Sequence, residues 1–380
     1  MDADLLFTQC PIRTMTATKA PKAPVSYSSF TLLNPLYTWP PGEFPSPKIR
    51  AAMSYPDAYV PPRTRPTEDG SDHSDKYPIT AIPSTDNLPM TLPRAAGGNT
   101  DDVSRPLLAA YTPELAHMPA RALRTYLYAD SKRFIAGLAA VQIPGMVPRN
   151  QLPPTFTVPA PTNLDPANRD GPRPIYPTYV IAVSSRPSIP DRTPFDAPVP
   201  LVAVHGAIIG ANCTKVDLPL PVTQPTDLRL VSLATYRLTV YSVPAFVILR
   251  LYMYNHRVDT FMDAIMPFPK AFLHLLKPDT RTPGHEGFIM EGAMASAKET
   301  RRLAQHLIFC TPGGAYPMWE RVRMLHGVWQ TMCDLGMYEP VLWLGLDLAW
   351  QVARYSLVVV SVAHQKELDA EAAKQAERRP

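Results

Sequence analysis

Val341–Ala363 reads VLWLGLDLAWQVARYSLVVVSVA, an apolar run of 23 positions interrupted by Asp347, Gln351 and Arg354. That is long enough to cross a bilayer. The three interruptions fall at i, i+4 and i+7, on one face of a helix. Asp and Arg near the centre of a membrane span each cost about 2.5–3.5 kcal/mol. A core helix with one polar seam is therefore expected, and with it a helical body large enough to enclose that helix. No membrane partner is expected.

Working outward from this helix, the chain after Pro225 reads as helix-rich, with helices expected at 227–243, 245–264, 288–310, 318–336 and 341–366. Pro267, Pro269, Pro312, Gly313 and Pro340 stand where helices should stop or start. Beyond the run, Gln365 to Pro380 is rich in Ala, Glu and Lys and should continue the helix outward, leaving a charged tail at 367–380. Upstream, Met118 to Val141 has no proline after Pro119. It places Arg121, Arg124, Tyr128 and Lys132 on one face, with Leu123, Leu127, Phe134 and Leu138 free to face the core.

Between these helical parts, residues 144–225 hold 18 prolines interleaved with short β-prone runs, Tyr179 to Val183 and Leu201 to Val204. Short strands among prolines suit edge strands in a projecting or inter-subunit insertion. Residues 1–105 hold 16 prolines, so regular structure cannot persist there, and Thr67 to Lys76 reads as an acidic, solvated loop. The same stretch carries Phe30, Leu36, Tyr37, Trp39, Phe44, Tyr55 and Tyr59, whereas disordered segments are poor in aromatics. An extended arm anchored on protein surfaces by these side chains is the expectation. In the body, Tyr252 and Tyr254 beside Arg250 and Arg257 have the aromatic-plus-arginine composition of a contact surface, and core packing of the same residues fits equally well.

The fold class that follows is mainly α with short β segments (α+β). A shell-type helical body covers 106–143 and 226–366, an extended proline-rich arm covers 1–105, and a proline-rich insertion covers 144–225. With 380 residues, 46% of them apolar, a sizeable core is available. Proline, at 46, is about twice its usual share of roughly 5%.

The net charge of +4 is spread along the chain, and residues 1–110 carry 10 basic against 11 acidic residues. Proteins that coat nucleic acid by releasing counterions show a basic arm or patch, and this chain has none. Weak contacts from Arg121, Arg124, Arg301 and Arg302 are the most that the basic clusters suggest. Cys10, Cys213, Cys310 and Cys333 show no paired spacing, which points to a reducing compartment without zinc or disulfide framework. The N-terminus has no basic-then-apolar secretory pattern, so Asn212-Cys213-Thr214 reads as a chance triplet rather than a glycosylation site.

Catalytic motifs are absent: no G-x-G-x-x-G, no G-x-x-x-x-G-K-[ST], no G-x-S-x-G and no H-E-x-x-H. His285-Glu286 is followed by Ile289 where a zinc protease needs its second histidine. His306 and Cys310 lie four apart, but Leu307, Ile308 and Phe309 around them favour an inert thiol. No catalytic residue, cofactor or metal is expected, and the chain reads as a structural protein that assembles with itself.

An aromatic proline-rich arm, a helical body, a proline-rich middle and no catalytic motif together resemble the coat proteins of small double-stranded RNA viruses, the partitivirus type in particular. That resemblance is one of architecture, and no site residue is carried over from it. It implies a helical, dimer-based capsid made of copies of this chain. Other capsid proteins are possible partners, the enclosed nucleic acid is contacted weakly, and the protein resides in the virion and the host cytoplasm. A clamp or decorating protein on a larger viral shell is a related reading. A supernumerary subunit of a large cellular or organellar complex explains the arm equally well, although Asp2 and Asp4 argue against mitochondrial import.

Overall fold

Tyr179-Val180-Ile181-Ala182-Val183 is apolar without alternation, the pattern of a strand covered on both faces. It forms the middle of a five-stranded sheet in a computed structural model that describes residues 88–93, 101–159, 174–186, 196–219, 230–278, 284–312 and 314–377.

Three helices come first: α1 (Arg105–Tyr111), α2 (Ala120–Ala129) and α3 (Ser131–Ala140). The sheet follows as β1 (Met146–Pro148), β2 (Thr155–Pro159), β3 (Tyr179–Ser185) and β4 (Pro198–Val204). After the short helix α4 (Gly206–Asn212) it closes with β5 (Leu230–Val240). The spatial order is β1-β4-β3-β5-β2. β3 and β5 run parallel, with Tyr179 opposite Ala234, while the other pairs are antiparallel.

The rest is helical: α5 (Val243–Asn255), α6 (Val258–Ile265), α7 (Lys270–Leu275), α8 (His285–Ala295), α9 (Ala297–Cys310), α10 (Ala315–Leu335) and α11 (Pro340–Glu377). The architecture is thus mainly α with short β segments, as expected.

The alternation along each strand divides the sheet between two apolar clusters. Tyr179, Ile181, Val183, Val202, Ala234 and Val240 face the helices in the main core. Val180, Ala182, Leu201, Val231 and Leu233 face a smaller cluster closed by Val141 and Val158. The main core runs without a break from Leu107 and Leu108 of α1 to Leu357 of α11. Two carboxylate oxygens of Asp334 on α10 tie the far end of the sheet to the helices, accepting from Arg186 at 2.9 Å and from the Tyr241 backbone N–H at 2.9 Å.

The apolar run at 341–363 lies in α11, which packs against α6, α8, α9 and α10. Its 38 residues make it roughly 57 Å long at 1.5 Å per residue. It is the one helix among the described residues long and apolar enough to cross a membrane by length and composition. Trp343, Leu346, Leu348, Ala349, Trp350, Val352, Ala353 and Leu357 are nonetheless buried in the protein core. The polar seam lies at the edge of this packing, half-buried, where Gln351 donates to the Met294 carbonyl at 3.4 Å.

Three expectations are corrected. The helix expected over 227–243 is replaced at Leu230–Val240 by strand β5, because Val231, Leu233, Thr235 and Val240 favour a pleated surface that pairs on both edges. The helix expected over 118–141 breaks at Asp130, whose backbone N–H caps α2 while its carboxylate pairs with Arg133. The described strands of 144–225 form no separate projection, for β1 to β4 share one sheet with β5, and β3 and β4 bury both of their faces in the body. The expected charged tail is helical as far as Glu377. Residues 1–87 and 94–100 of the arm lie outside the described residues.

One glycine shows how tightly the insertion is held. At Gly137 of α3 a Cβ would overlap the Ile175 carbonyl oxygen, and the Ile175 backbone N–H donates to Arg133 on the same helix at 3.1 Å. The chain entering β3 crosses α3 in direct backbone contact, which only glycine permits.

Candidate functional site

A group of mutually bonded polar side chains lies inside the molecule. Helix α5, VPAFVILRLYMYN, is apolar all round, so it belongs in a core, and every residue except Pro244 is buried. It carries Arg250, Tyr252 and Tyr254 inward and ends at His256 in the left-handed conformation, φ 47°.

Tyr254 meets His205 at the entry to α4, where the Tyr254 oxygen lies 2.8 Å from Nδ1 and accepts the His205 backbone N–H at 3.1 Å. His205 Nε2 lies 2.8 Å from the Ile175 carbonyl, which can only accept. Nε2 therefore carries the ring proton, and bare Nδ1 accepts the Tyr254 hydroxyl. Burial pushes His205 down to about 3, offset in part by that carbonyl, and pushes Tyr254 up to about 12. The pair is a neutral, closed hydrogen-bond circuit near pH 7. It fastens α5 to α4 and to the Ile175 crossing, and it offers no proton for exchange.

A second link holds α2 to the start of α11. Arg124 donates Nε to the Ala211 carbonyl at 3.0 Å and pairs with Glu339 at 3.0 Å. Tyr252 sits beside this pair, its pKa raised by burial and then by Glu339. His256, its ring 5.2 Å from that of Tyr252, is pushed by burial down to about 4.

These positions correct two of the sequence expectations. Tyr252 and Tyr254, expected at a subunit interface, are 2% and 1% exposed and pack within the chain's own core. Arg124, expected as a weak nucleic-acid contact, is buried and committed to Glu339 and Ala211. Arg121, Arg301 and Arg302 are exposed, on α2 and α9, with Arg302 3.5 Å from Glu299 of its own helix. Phe30, Leu36, Tyr37, Trp39, Phe44, Tyr55 and Tyr59 lie outside the described residues.

His306 and Cys310 do come together, with Nε2 3.4 Å from Sγ. Burial raises the thiol and lowers the imidazole, with Arg321 opposing the shift on the thiol. Both are thus biased toward their neutral forms, the opposite of an activated thiolate–imidazolium pair. Asn212 and Cys213 are buried, which closes the Asn-Cys-Thr triplet to a glycan. His285 sits at the start of α8, where its Nε2 lies 3.0 Å from the Leu275 carbonyl. Among the described residues no three His, Cys, Asp or Glu side chains are placed to hold a metal ion.

Two features went unnoticed in the sequence. The first is on α11, where Tyr355, Val359 and Val362 are 37%, 42% and 51% exposed and spaced i, i+4 and i+7 on one face. Phe309 and Tyr316, also exposed, flank the connection between α9 and α10. The second is a contact between α10, α11 and residues 88–93, Leu-Pro-Met-Thr-Leu-Pro. Trp329 Nε1 donates to the Pro93 carbonyl at 2.7 Å and Trp350 Nε1 to the Pro89 carbonyl at 2.9 Å. Leu92 is buried in the main core and Leu88 packs against it. The signal available in the sequence was the indole N–H itself, a donor that needs an acceptor when Trp is buried.

Residues 99–275 match the family model described as Clampless protein 1 N-terminal domain, and residues 259–380 match the Clampless protein 1 C-terminal domain. Their overlap falls on α6 and α7. Searches of curated proteins and of solved structures give no match. Neither family description names an activity, a substrate, a partner or a capsid protein. With the two domain models in order over residues 99–380, the chain belongs to the Clampless protein 1 family.

Proposed function

We propose that this protein is a non-catalytic structural or accessory protein that works by association with copies of itself. The observation that carries the reading is the stripe of Tyr355, Val359 and Val362 on α11. Three apolar side chains at i, i+4 and i+7 form the face that an amphipathic helix lays against a partner. A second copy presents the same stripe, so two α11 helices related by a twofold axis cover each other. The buried polar groups add support from the other direction, because His205, Tyr254, Arg124 and Glu339 are engaged in holding the fold. The narrower reading, a capsid shell built from such pairs, requires further contacts, for which Phe309 and Tyr316 are available surface.

Light scattering on the purified full-length chain over a hundredfold range of concentration tests the proposal. The expected result is a mass rising above the 42.1 kDa of one chain, and a return to one chain in V359D/V362D. A single-chain mass for the unaltered protein throughout overturns it. Uniform closed particles in negative-stain micrographs of the same samples select the shell.

A further inference from the structure

Residues 88–93 are held in an unusual way for a segment within a domain. They form no helix or strand, and both side-chain hydrogen bonds that hold them come from indoles to the backbone carbonyls of prolines. Proline fixes its own φ, so each of these carbonyls is presented from a restrained backbone, on a residue with no N–H of its own to satisfy. Domains that bind proline-containing peptides exploit the same chemistry with aromatic-lined grooves. Trp329 and Trp350, on successive helices, set the spacing of the two acceptors, and the main core receives Leu92 beside Leu88. Pro89, Met90, Thr91 and Pro93 remain exposed, Met90 at 70%. The segment thus behaves as a ligand laid on a surface, with one deep anchor.

We propose that the α10–α11 surface around Trp329 and Trp350 is a docking site for a Leu-Pro-x-x-Leu-Pro segment, and that the segment it takes in the assembled protein is 88–93 of a second copy. This rests on the self-association proposed above and names the elements that link the copies. Every copy carries the same segment and the same surface, so the contact made within one chain is equally available between two. Exchange of an identical element between protomers is a low-cost route to an assembly. Within one chain the segment is held by the burial of Leu92, the packing of Leu88 and two hydrogen bonds, a small contact for an exchange to replace. Residues 94–100 join the segment to the body at Asp101.

The test uses the full-length chain in two arms. In the first, a labelled synthetic peptide of residues 84–97 is titrated into full-length L92D, whose own segment has lost its anchor, with fluorescence anisotropy as readout. Saturable binding is expected, weakened about fivefold in L92D/W329F and about fivefold in L92D/W350F, since each loses one hydrogen bond worth about 1 kcal/mol. A peptide carrying the L92D change should not bind. Trp350 is buried and its variant risks the fold, so Trp329, which is only partly buried, serves as the independent check.

In the second arm a photo-crosslinking residue replaces Met90 in a tagged copy, which is mixed with an untagged copy at concentrations where light scattering shows association. Crosslinks from the tagged chain to α10 or α11 of the untagged chain are expected. Absence of peptide binding overturns the docking site, and crosslinks confined to single chains overturn the exchange. Either result leaves the α11 stripe reading standing as long as the mass rises with concentration. A chain that stays single at all concentrations overturns that reading and the exchange together, while the peptide arm still judges the docking site.

Discussion

Helices α5 and α11 are both apolar enough to belong in a core, yet α5 encloses all of its apolar surface and α11 does not. Around α5 lie α3, α4, α6 and α10 together with the sheet, and of its 13 residues only Pro244 escapes burial. α11 begins in the same way, with Leu342, Leu346, Ala349 and Val352 wholly buried, but past Leu357 it outruns its neighbours. Apolar residues at Val359 and Val362 then have no partner from the chain's described residues to cover them. Both helices carry a long apolar run, and the surroundings of those runs differ. Where the fold consumes apolar surface it yields stability, and where it leaves a periodic stripe open the surface is free for association.

The sharpest way to break that contrast is to truncate one side chain in each helix. Phe246→Ala in α5, at a fully buried position, should lower unfolding stability by about 3–5 kcal/mol. Val359→Ala in α11 should change monomer stability by no more than about 0.5 kcal/mol. Denaturant unfolding of dilute protein measures both, and comparable losses would abolish the distinction.

Next in size is the response to acid. His205 and His256, at either side of α5, are held by burial at about 3 and about 4 in the folded protein, against about 6.5 when unfolded. Between those values the unfolded chain binds more protons, so stability falls as pH drops below about 6.5. The loss stops growing for His256 near 4 and for His205 near 3. On the order of a few kcal/mol should be lost between pH 6.5 and 5, seen as a falling urea midpoint. A flat profile over that interval would show that the polar surroundings of α5 are more open than the structure has them.

Gly137→Ala should cost about 1–3 kcal/mol by forcing α3 away from the Ile175 carbonyl, and Gly292→Ala on α8, where a Cβ meets nothing, should be neutral or slightly stabilising. The smallest expected effect on stability is that of Phe309→Asp with Tyr316→Asp, exposed positions whose substitution should leave the thermal midpoint of the dilute protein within about 1 °C. A large loss there would mean that these rings are buried by a part of the chain outside the described residues.

Much of this fold was legible because periodicity reports burial directly. The runs at 318–336 and 341–366 proved to be single helices, while 245–264 and 288–310 are helical but each divides in two, at His256-Arg257 and at Ser296; Leu123, Leu127, Phe134 and Leu138 all reached the core. Strand β5 was misread because Leu230–Val240 mixes apolar and polar residues in a way that helix and strand periods fit equally, and its parallel partner β3 lies some 50 residues upstream. Tyr252 and Tyr254 resembled an interface because composition cannot tell a phenol turned outward from one whose hydroxyl finds His205 inside. The tryptophan contact was invisible for a different reason: Trp350 was read only as part of an apolar run, and its acceptor, the carbonyl of Pro89, carries no side-chain signature.

Hydrogen exchange on the full-length chain at low and high protein concentration tests the contrast between the two helices most directly. Protection over residues 355–363 of α11 should rise with concentration, while protection over 243–255 of α5 stays constant. Equal protection of the α11 segment at both concentrations would contradict the claim that its open stripe is where copies of this protein meet.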